Sequence, residues 1–95
     1  MTTSEGIIAN NLRLEARAKG LFIRKCRWEG RLGAPDYIIL RNGKAFFIET
    51  KAPGEKPRRS QLAEFGKILE NRCPVFVVDS FESAKKVIEA ICDSY

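Results

Sequence analysis

Residues 36–51 read DYIILRNGKAFFIETK. Two β-rich runs flank Asn42-Gly43, the dipeptide that most strongly marks a two-residue hairpin turn. Such a turn fixes the register. Arg41 then faces Lys44, Leu40 faces Ala45, Ile38 faces Phe47 and Asp36 faces Glu49. Side chains alternate along a strand, so Asp36, Ile38, Leu40, Ala45, Phe47, Glu49 and Lys51 are expected on one face. Ile48 and Thr50 are expected on the other. Two carboxylates thus meet at the open end of the hairpin, beside a lysine. Directly opposed like charges destabilise a sheet. A shared proton, a cation from the protein or a metal ion would reconcile them. Hard divalent ions such as magnesium take oxygen ligands, typically one or two carboxylates with waters and substrate phosphates.

Outward from the hairpin, the chain predicts an αβββαβα order. Residues 3–19 read as a helix, with Ile8, Leu12 and Ala16 at helical spacing, Gly20 as the stop and Thr2 with Glu5 as a capping box. Residues 21–28 read as an edge strand, since their alternation is imperfect. After a turn-rich loop come the hairpin strands, 36–41 and 44–51. APGEKPR is a loop. Residues 60–71 read as a helix with Ser60 as N-cap and Leu62, Phe65 and Leu69 inward. Residues 75–79 are wholly apolar apart from Asp79, which predicts a central strand. Residues 81–93 read as a helix packing Phe81, Ala84, Val87, Ile88 and Ile91. The expected fold class is therefore α/β, one domain over 1–95, with a mixed central sheet flanked by helices.

Composition narrows the chemistry. The chain has 95 residues and no histidine, which removes Ser-His-Asp triads, Cys-His pairs and histidine metal sites together. Cys26, Cys73 and Cys92 are odd in number and widely spaced, so reduced thiols are expected rather than a disulfide framework or a zinc knuckle. No apolar run has the length of a membrane span, and no basic segment followed by an apolar stretch opens the chain. A cytoplasmic protein without a membrane partner is the expectation.

The formal charge of +5 is unevenly placed. Residues 13–31 hold seven basic and two acidic groups, and residues 51–59 hold four and one. Residues 64–95 hold four basic and six acidic groups. Two basic segments around the acid pair suggest a polyanion such as nucleic acid. Lys56, Arg58 and Arg59 are candidate backbone-phosphate contacts, and Arg24, Lys25, Arg27 and Arg31 would extend that footprint. No aromatic stripe interleaves them, and phosphate contacts carry no sequence information. Shape, rather than base sequence, is the expected basis of recognition.

Pro35-Asp36, a hairpin, then Glu49-Thr50-Lys51 resembles the pattern of the PD-(D/E)xK nuclease superfamily. Gly33-Ala34-Pro35-Asp36, Ile48-Glu49-Thr50-Lys51-Ala52-Pro53-Gly54 and Gln61 at a helix start resemble the VRR-NUC (virus-type replication-repair nuclease) family. Glu5 matches that family's amino-terminal acid, and Val75-Phe76-Val77-Val78 with Ser80 fits its last strand and helix. Ala34 stands where a larger apolar residue is common. The resemblance spans nearly the whole chain and is closest to the stand-alone phage and bacterial form, which implies a bacterial cell or infected host.

The resemblance implies a restriction-endonuclease-like fold and a DNA endonuclease using Mg²⁺ or Mn²⁺. Asp36, Glu49 and the Thr50 carbonyl would hold the ion, with Glu5 holding water or helping to bind a second ion. Lys51 would position the attacking water, and Gln61 would contact the phosphate, a metal-bound water or Lys51. It further implies a homodimer acting on branched DNA such as Holliday junctions. A nuclease or nickase on flapped or linear DNA, and a non-catalytic nucleic-acid-binding domain, are the alternatives.

Overall fold

The computed structural model describes residues 3–94. Seven elements follow the predicted order: α1 (Ser4–Ala18), β1 (Phe22–Lys25), β2 (Tyr37–Arg41), β3 (Lys44–Thr50), α2 (Arg59–Glu70), β4 (Val75–Val78) and α3 (Phe81–Ser94). Thr3 caps α1, its Oγ1 accepting the Gly6 N–H at 3.0 Å. Thr2 of the expected capping box lies outside the described residues. Ile8, Leu12 and Ala16 form the buried stripe of α1, as their spacing predicts. Gly20, at φ +70°, turns the chain out of the helix.

The hairpin has the predicted register: Tyr37 pairs with Ile48, Ile38 with Phe47, Ile39 with Phe46, Leu40 with Ala45 and Arg41 with Lys44. Asn42 and Gly43 both have positive φ, 50° and 76°, as a turn matching the strand twist requires. β1 is antiparallel to β2 and β4 is parallel to β3, giving a mixed sheet in the order β1-β2-β3-β4.

Tyr37, Ile39, Phe46 and Ile48 alternate onto one face of the sheet. There they join Ile8, Leu12 and Ala16 of α1, and Ala84, Ile88 and Ile91 of α3, in a single core. The crossover helix α2 packs on the opposite face, against Phe47 and β4. Each fully buried aliphatic side chain contributes about 1.5–3 kcal/mol through burial.

Five local expectations are corrected. β1 is shorter than 21–28: Cys26 N donates to the Asp36 carbonyl at 2.7 Å, and beyond it Pro35 has no N–H to extend the ladder. Trp28 instead packs edge-on against Phe47, centroids 6.2 Å apart. β4 is an edge strand, not a central one; its apolar character on both faces reflects the helices on both sides of it. The N-cap of α2 is Arg58, and Ser60 lies inside the helix. Leu62 and Leu69 are exposed, whereas Gln61 and Phe65 are buried. The helix is rotated so that Gln61 faces the sheet, where it finds a hydrogen-bond partner. Phe81 is 56 % exposed, because it sits at the first position after the Ser80 cap, outside the α3 stripe facing α1.

Candidate active site

Four polar or charged residues are buried in the described chain, all at one end of the sheet: Glu49, Thr50, Lys51 and Gln61. The end of β3 supplies the first three, and the first turn of α2 supplies the fourth. Glu49 is only 2 % exposed. Its Oε2 accepts from Lys51 Nζ at 3.1 Å and from Gln61 Nε2 at 2.6 Å. Gln61 is itself oriented, because its Oε1 accepts the Arg58 backbone N–H at 2.9 Å. One amide thus caps α2 and grips Glu49. An arginine side chain has no acceptor to cap the helix in return.

Glu49 Oε1 is buried and has no hydrogen-bond partner. Burial, and next the charge of Asp36, push the Glu49 carboxyl above the ordinary glutamate range. Lys51 and Gln61 pull in the other direction without cancelling this. Asp36 acts on a second group as well: burial first, then the Asp36 charge, push the Cys26 thiol up.

Asp36 departs from the expected alternation. It precedes the first residue of β2 and follows Pro35, so the pleat does not dictate its side-chain direction. Its Oδ2 accepts from Thr50 N at 2.9 Å and from Thr50 Oγ1 at 2.7 Å. It lines a recess of about 220 Å³ with Glu5, Lys25, Tyr37 and Thr50. Glu49, paired with Lys51, meets α2, while Asp36 and Glu5 lie toward α1. The two acids therefore straddle the end of the sheet instead of sharing one face. The N–H and C=O of a residue leave an extended strand on the same side. Since Thr50 N–H is directed at Asp36, the Thr50 carbonyl is directed to that side too.

This donor set fits a hard divalent cation. It combines two carboxylates with a backbone carbonyl, and one buried carboxylate oxygen lacks any partner. Among the described residues no group of three or more His, Cys, Asp or Glu side chains forms a metal cluster. An ion here would complete its shell with water or phosphate oxygens.

The basic candidates divide. Lys56, Arg58 and Arg59 are exposed around the start of α2, beside the buried cluster. Lys25 reaches the Asp36 recess. Arg24 is engaged within β1: Nη1 donates to the Ile23 carbonyl at 2.8 Å and its guanidinium lies 4.0 Å over the Phe22 ring. Arg31 pairs with Glu64 at 3.3 Å. Arg27 is exposed after β1.

Two contributors escape sequence reasoning. The Thr50 hydroxyl was expected to point away from the acids, and only the turn of Asp36 toward it brings the two together. Gly33 was legible as a turn residue but not for its contact: at φ +94° it lies so close to α2 that a Cβ would collide with the Ser60 carbonyl.

No family model matches the chain. A protein of Acyrthosiphon pisum secondary endosymbiont phage 1, named "Putative nuclease p44", is 42% identical over 77 residues, covering 80% of this chain and 83% of that protein. A solved structure described as "VRR_NUC domain" is 37% identical and superposes with a TM-score of 0.85, covering 93% of this chain and 97% of that one. At that identity, over nearly the whole of both chains and in the same fold, the chain belongs to the VRR-NUC family of nucleases.

Proposed function

We propose that this nuclease is an Mg²⁺- or Mn²⁺-dependent endodeoxyribonuclease that hydrolyses phosphodiester bonds at branched DNA, such as Holliday junctions, in replication, repair or recombination. The observation that carries the metal dependence is the buried, unpartnered Glu49 Oε1 beside the Asp36 charge. A carboxylate so desolvated is unfavourable unless a cation or proton meets it.

Asp36, Glu49 and the Thr50 carbonyl would hold the ion, with Glu5 positioned across the recess to hold a water. When bound, the ion would polarise the scissile phosphate and lower the pKa of coordinated water. Lys51, 3.1 Å from Glu49 Oε2, would orient an attacking water and offset charge developing on the phosphate oxygens. Gln61 donates to the same Oε2, which keeps Glu49 aimed and leaves Oε1 for the ion. Lys56, Arg58 and Arg59 would bind backbone phosphates beside the cut, with Lys25, Arg24, Arg27 and Arg31 extending the contact.

A domain of this size grips little duplex, so two copies related by a two-fold axis would suit a branched substrate with two cut sites. Such a dimer would act inside the bacterial cell or phage-infected host, where the resemblance leads. The test offers four-way, flapped, linear duplex and single-stranded DNA with Mg²⁺, Mn²⁺ or EDTA. Metal-dependent cutting with preference for the four-way substrate is expected, and Asp36→Ala should abolish it while retaining DNA binding. Absence of metal-dependent cleavage on every substrate refutes the proposal; preference for flapped or linear DNA refutes its branched-DNA part.

A further inference from the structure

We propose that the Thr50 hydroxyl is a positioning group that confines Asp36 to one free oxygen and thereby sets which divalent ion the site prefers. The proposal rests on the metal-dependent reading above and adds to it a determinant of ion choice.

Thr50 is 2 % exposed, so its hydroxyl must find a partner inside the protein. It donates to Asp36 Oδ2 at 2.7 Å, and the Thr50 N–H donates to the same oxygen at 2.9 Å. Two donors from one residue saturate one side of the carboxylate. The terminal torsion of an aspartate is broad, and a single hydrogen bond would leave the group free to rock. Two bonds to one oxygen fix its plane and leave Oδ1 as the oxygen available to an ion. Because the Thr50 carbonyl leaves β3 on the same side, one residue sets both its own carbonyl and the Asp36 oxygen.

A monodentate carboxylate held in a fixed plane favours a small ion with strict octahedral geometry. Calcium takes six to eight oxygens at longer distances and often uses carboxylates in bidentate fashion. Releasing Asp36 from the hydroxyl would let it swing and offer both oxygens. Loss of the lock should therefore weaken Mn²⁺ binding while sparing Ca²⁺.

Thr50→Val keeps the β-branched shape of a buried strand residue and removes only the hydroxyl donor. Thr50→Ser keeps the donor and removes a methyl. Calorimetric titration of each purified protein with Mn²⁺ and with Ca²⁺ provides a readout independent of cleavage. Removing a group that hydrogen-bonds to a metal ligand typically changes affinity about 10–100-fold. Thr50→Val should lose at least about tenfold in Mn²⁺ affinity and less in Ca²⁺ affinity, so that the preference narrows, and Thr50→Ser should resemble the parent.

Unchanged Mn²⁺ binding in Thr50→Val overturns the positioning role and leaves the metal-dependent nuclease intact. An equal loss for both ions, or an equal loss in Thr50→Ser and Thr50→Val, also overturns it, because the residue would then act through packing alone. If the parent protein itself binds no Mn²⁺, the metal-dependent reading falls and the proposal falls with it.

Discussion

The most exacting prediction concerns Glu49 without divalent metal. Burial and Asp36 raise its pKa in the folded protein, whereas the unfolded chain holds it near the ordinary value of about 4.3. Between those two values the native state binds a proton that the unfolded state has released. Stability contributed by this group is therefore greatest at the acid end and falls as pH rises through the window. At most one proton is involved, so the slope cannot exceed about 1.4 kcal/mol per pH unit. Glu49→Gln removes the titration but nearly preserves the volume. Urea unfolding of both proteins in EDTA, from about pH 4 to 8, isolates the effect as the parent's stability minus the variant's. That difference should decline with pH and then level off above the raised pKa. A saturating divalent ion should remove the decline, because it stabilises the ionised carboxylate. A difference that is flat, or that rises with pH, would refute the desolvation argument.

Two further perturbations probe the surroundings. Gly33→Ala combines a left-handed backbone with a collision against the Ser60 carbonyl, so destabilisation of at least about 1–2 kcal/mol is expected; an unchanged urea midpoint would contradict the close approach. Neutralising Lys56, Arg58 and Arg59 together should weaken DNA binding and flatten its dependence on log salt by up to about three units, as roughly 0.9 counterion is released per phosphate contact; an unaltered salt slope would remove the loop from the interface.

The hairpin was fully legible because Asn42-Gly43 leaves little choice of turn, and every observed pair follows from it. Ile8, Leu12 and Ala16 were legible for a similar reason, since one helical stripe faces one core. Helix α2 misled because Leu62 and Leu69 are apolar at helical spacing yet stay exposed, while polar Gln61 is buried. Its orientation is decided by a hydrogen bond to Glu49, a tertiary contact with no periodicity. β4 misled because an edge strand between helices on both sheet faces is as apolar as an interior one. At the candidate site, side-chain placement was legible only in part. Strand alternation carries Glu49 and Lys51 to one side correctly, but Asp36 stands just outside the ladder, where Pro35 releases it to reach Thr50.

The placement of the acids at the open end of the hairpin also has a consequence for how the molecule comes into being. A hairpin closes from its turn, and Arg41 and Lys44 can meet almost at once, within microseconds. Thr50 must find Asp36 across fourteen residues, and it pairs with Val78 only after α2 has crossed over and β4 has docked. Gln61 reaches Glu49 only once α2 lies on the sheet. Pulsed hydrogen exchange during refolding should therefore protect the hairpin amides nearest the turn before the Thr50 N–H. Until α2 has docked, Glu49 stands in water without the amide that orients it.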